Sequence, residues 1–504
     1  MRMEGKQLLA FILSFIKFQG CNRIVDRLIL DFLPADMSDQ KLFKKIVSQT
    51  NEYERTPVPT SELKSGKSFL GMYAGEHTAG TEFVIGPLFV AHGVAATDLI
   101  LGLFIGNLLA VLSWGLMTGP IATSKRLTLY YQLERITGKS VVSLYNFINA
   151  LMFCFLAGSM IAVSATAVGI PFGLEMPTLT DWYPKTPGWI VAVMIMGAVI
   201  TLIAIRGYNQ VAKFANVMAP WMILIFISAA FAALPQLGVH SLDEFVVAAK
   251  EVIWTGVPLP GISKFSVWHV IFFCWFCNMA MHIGMSDLTI LRYAKSWKYG
   301  FLSFAGMYIG HFVAWIASGI LYAVFLQTNA NSQEFAPGPI AFQAAGVAGA
   351  VCVVVAGWTT ANPTIYRAGL ALQGIFPKTK TWKITAIVGG ITSLAACFPA
   401  LVMKLLDFVA LYGLVLMPMG AVIFADFYFA EKMGFQPEQA LNNKKAFTWP
   451  ALAAWHITLV ICWLLNYFYG LEIFFLGLPG WFIAVTLFVI FSKIQFPALR
   501  TKFA

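Results

Sequence analysis

The sequence predicts an all-α polytopic membrane protein with twelve transmembrane helices. Two features of its composition indicate this class: 59% of the 504 residues are hydrophobic, and only 12% are charged. A soluble globular protein carries about 25% charged residues, so the composition excludes that class. The third feature is a series of apolar stretches, each close to the length of about 20 residues that crosses a bilayer.

Twelve apolar stretches separated by polar loops are the predicted spans. They cover residues 68–93, 96–118, 141–169, 187–205, 214–235, 267–291, 299–326, 339–366, 384–402, 405–429, 449–469 and 473–492. Nineteen Lys and Arg, Arg292 and Arg367 among them, fall in the predicted inner loops and tail, against four outside. Because cytoplasmic loops are enriched in Lys and Arg, both termini are predicted to be cytoplasmic, in a plasma membrane expected to be a bacterial inner membrane. The net charge of +10 is therefore explained by Lys and Arg in the cytoplasmic loops. Nucleic-acid binding is not expected.

The two ends of the chain are polar and are predicted to lie in the cytoplasm. The predicted parts are an N-terminal segment at 1–66, a membrane domain at 67–492 and a tail at 493–504. Leu8–Phe18 is apolar but too short to span a bilayer. A Lys-rich segment opens at Met37, so we expect translation to start at Met37, with residues 1–36 an upstream extension.

The first span, Ser68–Gly93, carries two acidic residues, Glu76 and Glu82, with Gly75 and Gly80 nearby. A carboxylate at the bilayer centre costs roughly 2.5–3.5 kcal/mol on insertion scales, so this face is expected to meet protein or water. Glycine tolerates a break in the helix, and broken helices occur in membranes where they line a cavity. We predict a binding site here; the alternative is that the span begins near Phe83 and that the acidic segment is a solvated flank.

The sixth span is also interrupted by polar residues. They are Asn278, His282, Ser286 and Asp287, with Gly284 among them. Two interrupted spans, each heading a group of five, are typical of a transporter built from inverted repeats. The repeats are predicted at 68–235 and 267–429, followed by two extra helices at 449–492.

The eighth span contains adjacent hydroxyls, Thr359 and Thr360, shortly before Pro363. Proline removes a backbone donor and frees a carbonyl, and hydroxyl and carbonyl oxygens together suit a hard cation such as Na⁺. The alternative is that these hydroxyls bond back to their own helix, as is common in membrane helices. His311, in the seventh span, is interpreted as a core histidine with its hydrogen bonds satisfied.

Three stretches carry a family resemblance. They are Gly93–Asp98 with Ile105–Leu109, Trp358–Ala371, and Pro418–Phe427. Together they resemble the nucleobase–cation symporter-1 family, which includes purine and cytosine permeases and hydantoin transporters. The resemblance implies a LeuT-like fold of two inverted five-helix repeats with two added helices, and transport by alternating access.

The resemblance also implies two binding sites. A coupling Na⁺ is expected between the broken first helix and the eighth, at Glu76, Ala79, Gly80, Ala356, Thr359 and Thr360. The substrate is expected between helices one, three, six and eight, at Thr81, Glu82, Phe83, Phe153, Asn278, Met279, His282 and Asn362. Glu82 beside His282 is expected to bind a proton instead of, or besides, Na⁺, because a dehydrated carboxyl group takes up a proton more readily.

Two departures mark the chain as a divergent member. The third helix lacks the Trp and Gln that nucleobase carriers place around the base, which leaves Phe153 to stack, and the first helix carries Glu76 and Glu82 where small or apolar residues are usual. We therefore predict cation-coupled symport of a small nitrogenous substrate: a nucleobase, hydantoin or related heterocycle, or alternatively a small cationic amine. A sensor or channel on the same fold is the other alternative; enzyme activity and a cofactor beyond the coupling Na⁺ or H⁺ are not expected, and the oligomeric state is left open.

Overall fold

A computed structural model describes residues 52–498 except 175–176, 178–180, 330–335 and 401–404, and for 405–409 it describes the backbone alone. Several sequence predictions lie outside these residues. They are the start at Met37, the N-terminal segment up to residue 51, the outer-loop Lys404, the last residues of the ninth span and the tail beyond residue 498.

Helices form the described part of the chain, and strands are reduced there to three isolated bridges. The first half contains α1 (Gly66–Glu76), α2 (Glu82–Ala91), α3 (Ala96–Lys125), α4 (Leu129–Thr137), α5 (Lys139–Phe172), α6 (Pro187–Ala204), α7 (Tyr208–Leu237) and α8 (Leu242–Ala248). The second half contains α9 (Val267–Phe276), α10 (Leu288–Leu291), α11 (Trp297–Thr328), α12 (Pro337–Ile375), α13 (Thr381–Ala396), α14 (Leu405–Met433), α15 (Gln439–Asn442), α16 (Trp449–Tyr469) and α17 (Ile473–Gln495).

The twelve predicted spans correspond to these helices. Within the described residues, nine helices are long and apolar enough to cross a membrane. The interrupted pairs α1/α2 and α9/α10 and the 16-residue α13 supply the other three. Large apolar side chains such as Leu101 and Phe104 on α3 and Trp463 on α16 are more than half exposed, as expected of surfaces that face lipid. The chain is a multi-pass membrane protein.

Both predicted breaks are present, and both are buried. α1 ends at Glu76 and α2 begins at Glu82, while α9 ends at Phe276 and is followed by turns as far as Asp287. Within these turns the N–H of Gly284 donates to the carbonyl of Met279 at 2.7 Å. Non-helical backbone inside a membrane protein persists where it is enclosed by protein. Since Glu76 and Glu82 are 7% and 1% exposed, the alternative of a solvated flank is wrong.

The helix contacts follow the pattern that two inverted repeats require. A relation that exchanges spans one and six, and two and seven, turns the packing of α1 on α11 into that of α9 on α3, and the packing of α2 on α11 into that of α10 on α3. All four contacts occur. Spans three and eight exchange with each other, and α5 packs along α12 more extensively than any other pair of described helices. α6 on α13 is the corresponding pair for spans four and nine.

Two helices beside the breaks contain a π-helical segment. In α3 it covers Trp114–Thr118, and in α11 it covers Ala305–His311. A π turn widens the helix and displaces its side chains, and such turns are frequent at functional sites. Trp114 and His311 are thereby directed towards the broken spans.

Glu52, in the chain before α1, forms hydrogen bonds with α7, with α12 and with the segment that follows α10. Its carboxylate accepts hydrogen bonds from the hydroxyls of Tyr366 at 2.6 Å and Tyr293 at 3.1 Å, and from the N–H of Tyr208 at 3.1 Å. Arg292 is fully buried, with its Nη2 3.9 Å from Glu52. Arg292 is therefore an internal charge and not the loop charge that the sequence predicted.

Candidate functional site

A cavity of about 60 Å³ lies between the two interrupted spans. One water molecule needs about 10–15 Å³ of such space, so the cavity has room for several. Its polar lining is formed by Glu76, His77, Thr81, Glu82, Asn278, His311, Thr360, Thr364 and Tyr412. Its apolar lining is formed by Ile85, Leu156, Phe273, Phe276, Cys277, Met281, Ala410 and Phe474. The cavity therefore lies between polar side chains of the first break and aromatic side chains of α9 and α17.

The structure places five of the predicted site residues on this cavity. They are Glu76, Thr81, Glu82, Asn278 and Thr360. The two breaks thus contribute side chains to one space, together with the eighth span, as the sequence predicted. The third span contributes Leu156 instead of Phe153.

Five residues predicted to contact substrate do not line the cavity. Phe83 stacks on Phe226 with ring centroids 4.6 Å apart, and Phe153 lies behind Tyr412, 5.4 Å from its ring centroid. Met279 packs against Gly413. The amide nitrogen of Asn362 donates to the carbonyl of Trp358, one turn back on the same helix, at 2.9 Å.

His282 is the fifth, and its prediction as the partner of Glu82 is wrong. Its ring lies against Trp114 with centroids 4.7 Å apart, and its Nε2 donates to the carbonyl of Trp275 at 2.9 Å. His282 lies among the turns that follow Phe276, and its ring packs against α3.

At the predicted cation site, the first break packs against α12. The hydroxyl of Thr360 donates to the carbonyl of Glu76 at 3.1 Å, and that of Thr359 donates to the carbonyl of Ala356 at 2.9 Å. A Cβ on Gly80 would lie 3.4 Å from the backbone of Gly357. The carbonyl of Ala79 accepts from the N–H of Glu82 at 3.2 Å. Thr360 thus brings an oxygen of α12 to an oxygen of the first break, whereas Thr359 bonds back to its own helix, as the alternative prediction had it.

A buried ion cluster joins the two breaks to α12. Arg367 donates to Glu76 at 2.5 and 3.1 Å and to Asp287 at 2.6 Å, and its side chain is fully buried. The second oxygen of Asp287 accepts from Trp114 at 2.7 Å. We call Glu76, Arg367 and Asp287 the ion triad. Because α12 continues to Ile375, Arg367 lies inside the protein, and its prediction as an inner-loop charge is wrong.

Glu82 lies at the start of α2 in different surroundings. Its carboxylate accepts from the hydroxyl of Thr81 at 2.9 Å and from the indole N–H of Trp315. His311 Nε2 is 3.7 Å from Glu82 Oε1. Among the described residues, neither Lys nor Arg pairs with this carboxylate. His311 therefore holds the position that the sequence prediction gave to His282.

His311 also contacts both breaks, which the sequence did not predict. Its Nε2 lies 3.5 Å from the amide nitrogen of Asn278, and its ring centroid is 4.9 Å from that of His77. The one signal in the sequence was a histidine inside an apolar span, and such a residue is costly unless it pairs or lines a cavity.

Sequence comparison finds no matching family model and no matching curated protein. Solved structures do match. Mhp1, a nucleobase-cation-symport-1 family transporter in a closed conformation with bromovinylhydantoin bound, superimposes with a TM-score of 0.67 at 16% identity, covering 89% of this chain and 97% of that one. A Na⁺-coupled sialic acid symporter in a substrate-bound outward-open state gives 0.64 at 15% identity, covering 90% and 95%. Mhp1 in its inward-facing conformation gives 0.62 at 14%, covering 87% and 94%.

This chain has the fold of a nucleobase–cation-symport-1 transporter. The predicted LeuT-like architecture of two five-helix repeats and two added helices is thereby confirmed. Sequence identity of 16% or less over nearly the whole length fits the prediction of a divergent chain. At such identity the likeness shows the fold, and function has to be argued from the cavity.

Proposed function

We propose that this protein is a secondary active transporter, a divergent nucleobase–cation symporter that couples the movement of Na⁺ or H⁺ to that of a small nitrogenous substrate. The observation that carries the proposal is the cavity between the two interrupted spans, lined by Glu82 of the first, Asn278 of the second and Thr360 of α12. Substrate sites at the midplane, formed by discontinuous helices at the repeat interface, are the general design of such transporters.

The ion triad joins both repeats beside the cavity, because it links α1 and α12, which line the cavity, to the start of α10. Arg367 on α12 binds Glu76 at the end of α1 and Asp287 at the start of α10. Displacing α12 relative to either break would separate charges that are fully buried, and leaving such charges unpaired is costly. The three elements are therefore expected to move together, so that binding at the cavity is transmitted to both repeats.

The lining indicates the chemical class of the substrate. It contains Glu82 and Asn278 but neither Lys nor Arg, so a free carboxylate on the substrate would lack a counter-charge. Phe273, Phe276 and Tyr412 line the cavity, and aromatic side chains stack favourably on flat rings. This combination favours a neutral heterocycle with N–H donors: a nucleobase, a hydantoin or a related compound.

A small cationic amine is a second candidate, and one observation favours it. Glu82 faces the cavity without Lys or Arg as a partner among the described residues. An ammonium group on the substrate would supply the missing charge. Competition between cytosine and small alkylamines for binding to the purified protein separates the two candidates.

Transport is tested with the full-length protein in liposomes. A thermal-shift screen of purines, pyrimidines, hydantoins and small amines, with and without Na⁺, first identifies ligands. Uptake of these ligands is then measured under an imposed Na⁺ or H⁺ gradient, and concentrative uptake that collapses with the gradient is the expected result. Ligand movement that no ion gradient can drive uphill would contradict symport.

A matched pair of threonine variants tests whether the cavity lining takes part in uptake. Thr360→Val removes a hydroxyl that lines the cavity and should weaken uptake. Thr458→Val makes the same change at a buried position on α16, away from the cavity lining, and should leave uptake unchanged. Equal uptake by both variants would argue against a role for Thr360.

A further inference from the structure

We infer that the hydroxyl of Tyr412, on α14, is a substrate-binding group that donates a hydrogen bond to a carbonyl oxygen of the transported ring. The inference rests on the proposed function and narrows it to rings that carry a carbonyl beside a ring N–H. Tyr412 lines the cavity and is 2% exposed, and its hydroxyl has no hydrogen-bond partner among the described residues. Span ten, to which it belongs, was not among the helices expected to contact substrate.

The hydroxyl of Tyr412 differs from the other hydroxyls on the cavity. Those of Thr81, Thr360 and Thr364 each donate within the protein, at 2.9, 3.1 and 2.7 Å. The first bonds to the next side chain along the chain, and the other two bond to backbone carbonyls. A buried polar group without a partner is costly, and most such groups in proteins are paired. In the described part of the chain, Tyr412 is thus the lining hydroxyl that is left to bind a ligand.

Two contacts fix the position of this tyrosine. Its ring packs against Phe153 of α5, with centroids 5.4 Å apart and an interplanar angle of 60°. At the next residue, a Cβ on Gly413 would lie 2.5 Å from Met279 Cγ, so the glycine lets α14 approach the turns after α9 closely. Phe153 and Met279 are fully buried. Both were predicted to contact substrate, and both instead hold the residue that does.

A tyrosine held in this way is well suited to recognise a ligand. Its side chain has two χ angles, so little conformational entropy is lost when it binds. Packing on both sides leaves the hydroxyl in a defined position at the edge of the cavity. The direction of its hydrogen bond therefore does not depend on the ligand.

The rest of the lining supplies the acceptor that a cyclic amide also needs. Glu82 lines the cavity, and a carboxyl oxygen accepts hydrogen bonds whether or not the group is ionised. The side-chain amide of Asn278, on the second break, both donates and accepts. A ring that presents N–H and C=O side by side can thus pair its N–H with Glu82 or Asn278 and its carbonyl with Tyr412.

This requirement separates the two substrate candidates. Cytosine and hydantoin each carry a carbonyl next to a ring N–H, whereas an alkylamine carries N–H donors alone. An alkylamine would leave the O–H of Tyr412 unpaired in a closed cavity. Sites built to hydrogen-bond a ligand group discriminate strongly against analogues that lack the group. Tyr412 therefore favours the heterocycle.

The first test measures binding to the purified full-length protein by calorimetry. The probes are cytosine, hydantoin and their thio analogues, in which a sulfur atom, a weaker acceptor, replaces one carbonyl oxygen. Tyr412→Phe should raise the Kd of cytosine and hydantoin about two- to tenfold, the range expected for one neutral hydrogen bond. For the thio analogue that alters the recognised carbonyl, wild-type binding should already be weaker, and Tyr412→Phe should add little further loss.

Tyr145→Phe is the matched control. Tyr145 lies on α5, is fully buried, and also has a hydroxyl without a partner among the described residues, but it does not line the cavity. This variant should bind both probes as wild type does.

The second test needs no ligand and separates binding from a structural role. Because the Tyr412 hydroxyl bonds to nothing in the described residues, Tyr412→Phe should leave the unfolding midpoint of the ligand-free protein unchanged or raise it. The increase in that midpoint on adding cytosine or hydantoin should become smaller in the variant. A lower midpoint without ligand would show that the hydroxyl holds the fold, and would overturn the inference.

The remaining outcomes distinguish this inference from the proposed function. If wild type binds cytosine or hydantoin and Tyr412→Phe binds them equally well, the inference is wrong and the proposed function stands. Equal losses for the oxygen probes and all thio analogues would also overturn it, because the hydroxyl would then not meet a carbonyl. If wild type binds alkylamines and neither heterocycle, the narrowed substrate class and the inference are both wrong, and the second candidate of the proposed function remains. If it binds none of these probes, the substrate class of the proposed function fails as well.

Discussion

Glu76 and Glu82 lie six residues apart on the first interrupted span, on opposite sides of the break, and their surroundings differ sharply. Glu76 ends α1 and binds Arg367 through both carboxylate oxygens. Glu82 begins α2 and contacts Thr81, Trp315 and His311. The comparison separates two settings of a buried carboxylate: Glu76 is paired with Arg367, whereas Glu82 has neither Lys nor Arg as a partner among the described residues.

Removing Arg367 should have the largest effect, because it leaves both Glu76 and Asp287 without a counter-charge. Breaking a buried ion pair by removing one partner costs about 3–5 kcal/mol. We expect Arg367→Gln to lower the unfolding midpoint in detergent strongly and to reduce the yield of folded protein.

Two further variants decide whether charge is the cause. The triple variant with Arg367→Gln, Glu76→Gln and Asp287→Asn keeps the shapes but removes all three charges, so it should regain much of the lost stability. Arg206→Gln, at a half-buried position between α6 and α7, is the arginine control. An unfolding midpoint for Arg367→Gln equal to that of wild type would show that the triad does not hold the breaks.

The two carboxylates should respond differently to the same substitution. Glu76→Gln weakens charge-assisted hydrogen bonds, each worth about 1.5–3 kcal/mol, and should lower the free energy of unfolding by that order. Glu82→Gln loses no ion pair with Lys or Arg, so the free energy of unfolding of this variant at neutral pH should equal that of wild type or be slightly larger. Thermal unfolding of the two purified variants side by side tests this, and equal losses would remove the distinction drawn here.

Sequence reasoning located both breaks because acidic and polar residues inside apolar spans have a clear energetic cost. The predicted cation site also placed Thr360 near the carbonyl of Glu76, and the two form a hydrogen bond. Sequence reasoning failed beside the second break: the resemblance suggested His282 as the partner of Glu82, but turns follow Phe276 and His282 lies against Trp114. His311 was missed because a π turn, which leaves no simple sequence pattern, redirects it.

Arg367 was missed for another reason. The eighth span was predicted to end at residue 366, where a bilayer-length helix would stop, but α12 runs for 39 residues to Ile375 with a non-helical residue at Gly346. A positive charge just beyond a predicted span looks like a loop charge. Two buried acids in the breaks did require a cation, and a search of the span ends for that cation would have found Arg367.

Gly310→Ala should have a smaller effect, confined to the contact between α11 and the first break. The added Cβ would lie 2.5 Å from the carbonyl oxygen of His77, so α11 must move away from the break, at the cost of about 1–3 kcal/mol usual for overpacking. We expect a lower unfolding midpoint of the purified variant in detergent. Gly390→Ala on α13, where a Cβ meets nothing within 4 Å, is the control; it should be neutral or slightly stabilising, because Ala is preferred over Gly in a helix.

Glu52 accepts hydrogen bonds from neutral hydroxyls, as Glu82 does, and lies near an arginine, as Glu76 does. Its substitution should have the smallest effect. Burial raises the pKa of Glu52 above its ordinary value of 4.5, although the Tyr366 hydroxyl and the Arg292 charge oppose the shift. Since its pKa is raised in the folded protein, its contribution to stability is largest below the unfolded value and is lost as the pH rises through the folded pKa. Glu52→Gln cannot titrate, so the decline in unfolding midpoint from about pH 4.5 upward should become shallower in this variant. If the unfolding midpoint of Glu52→Gln declines with pH as steeply as that of wild type, other groups cause the pH dependence and the charge of Glu52 does not affect stability.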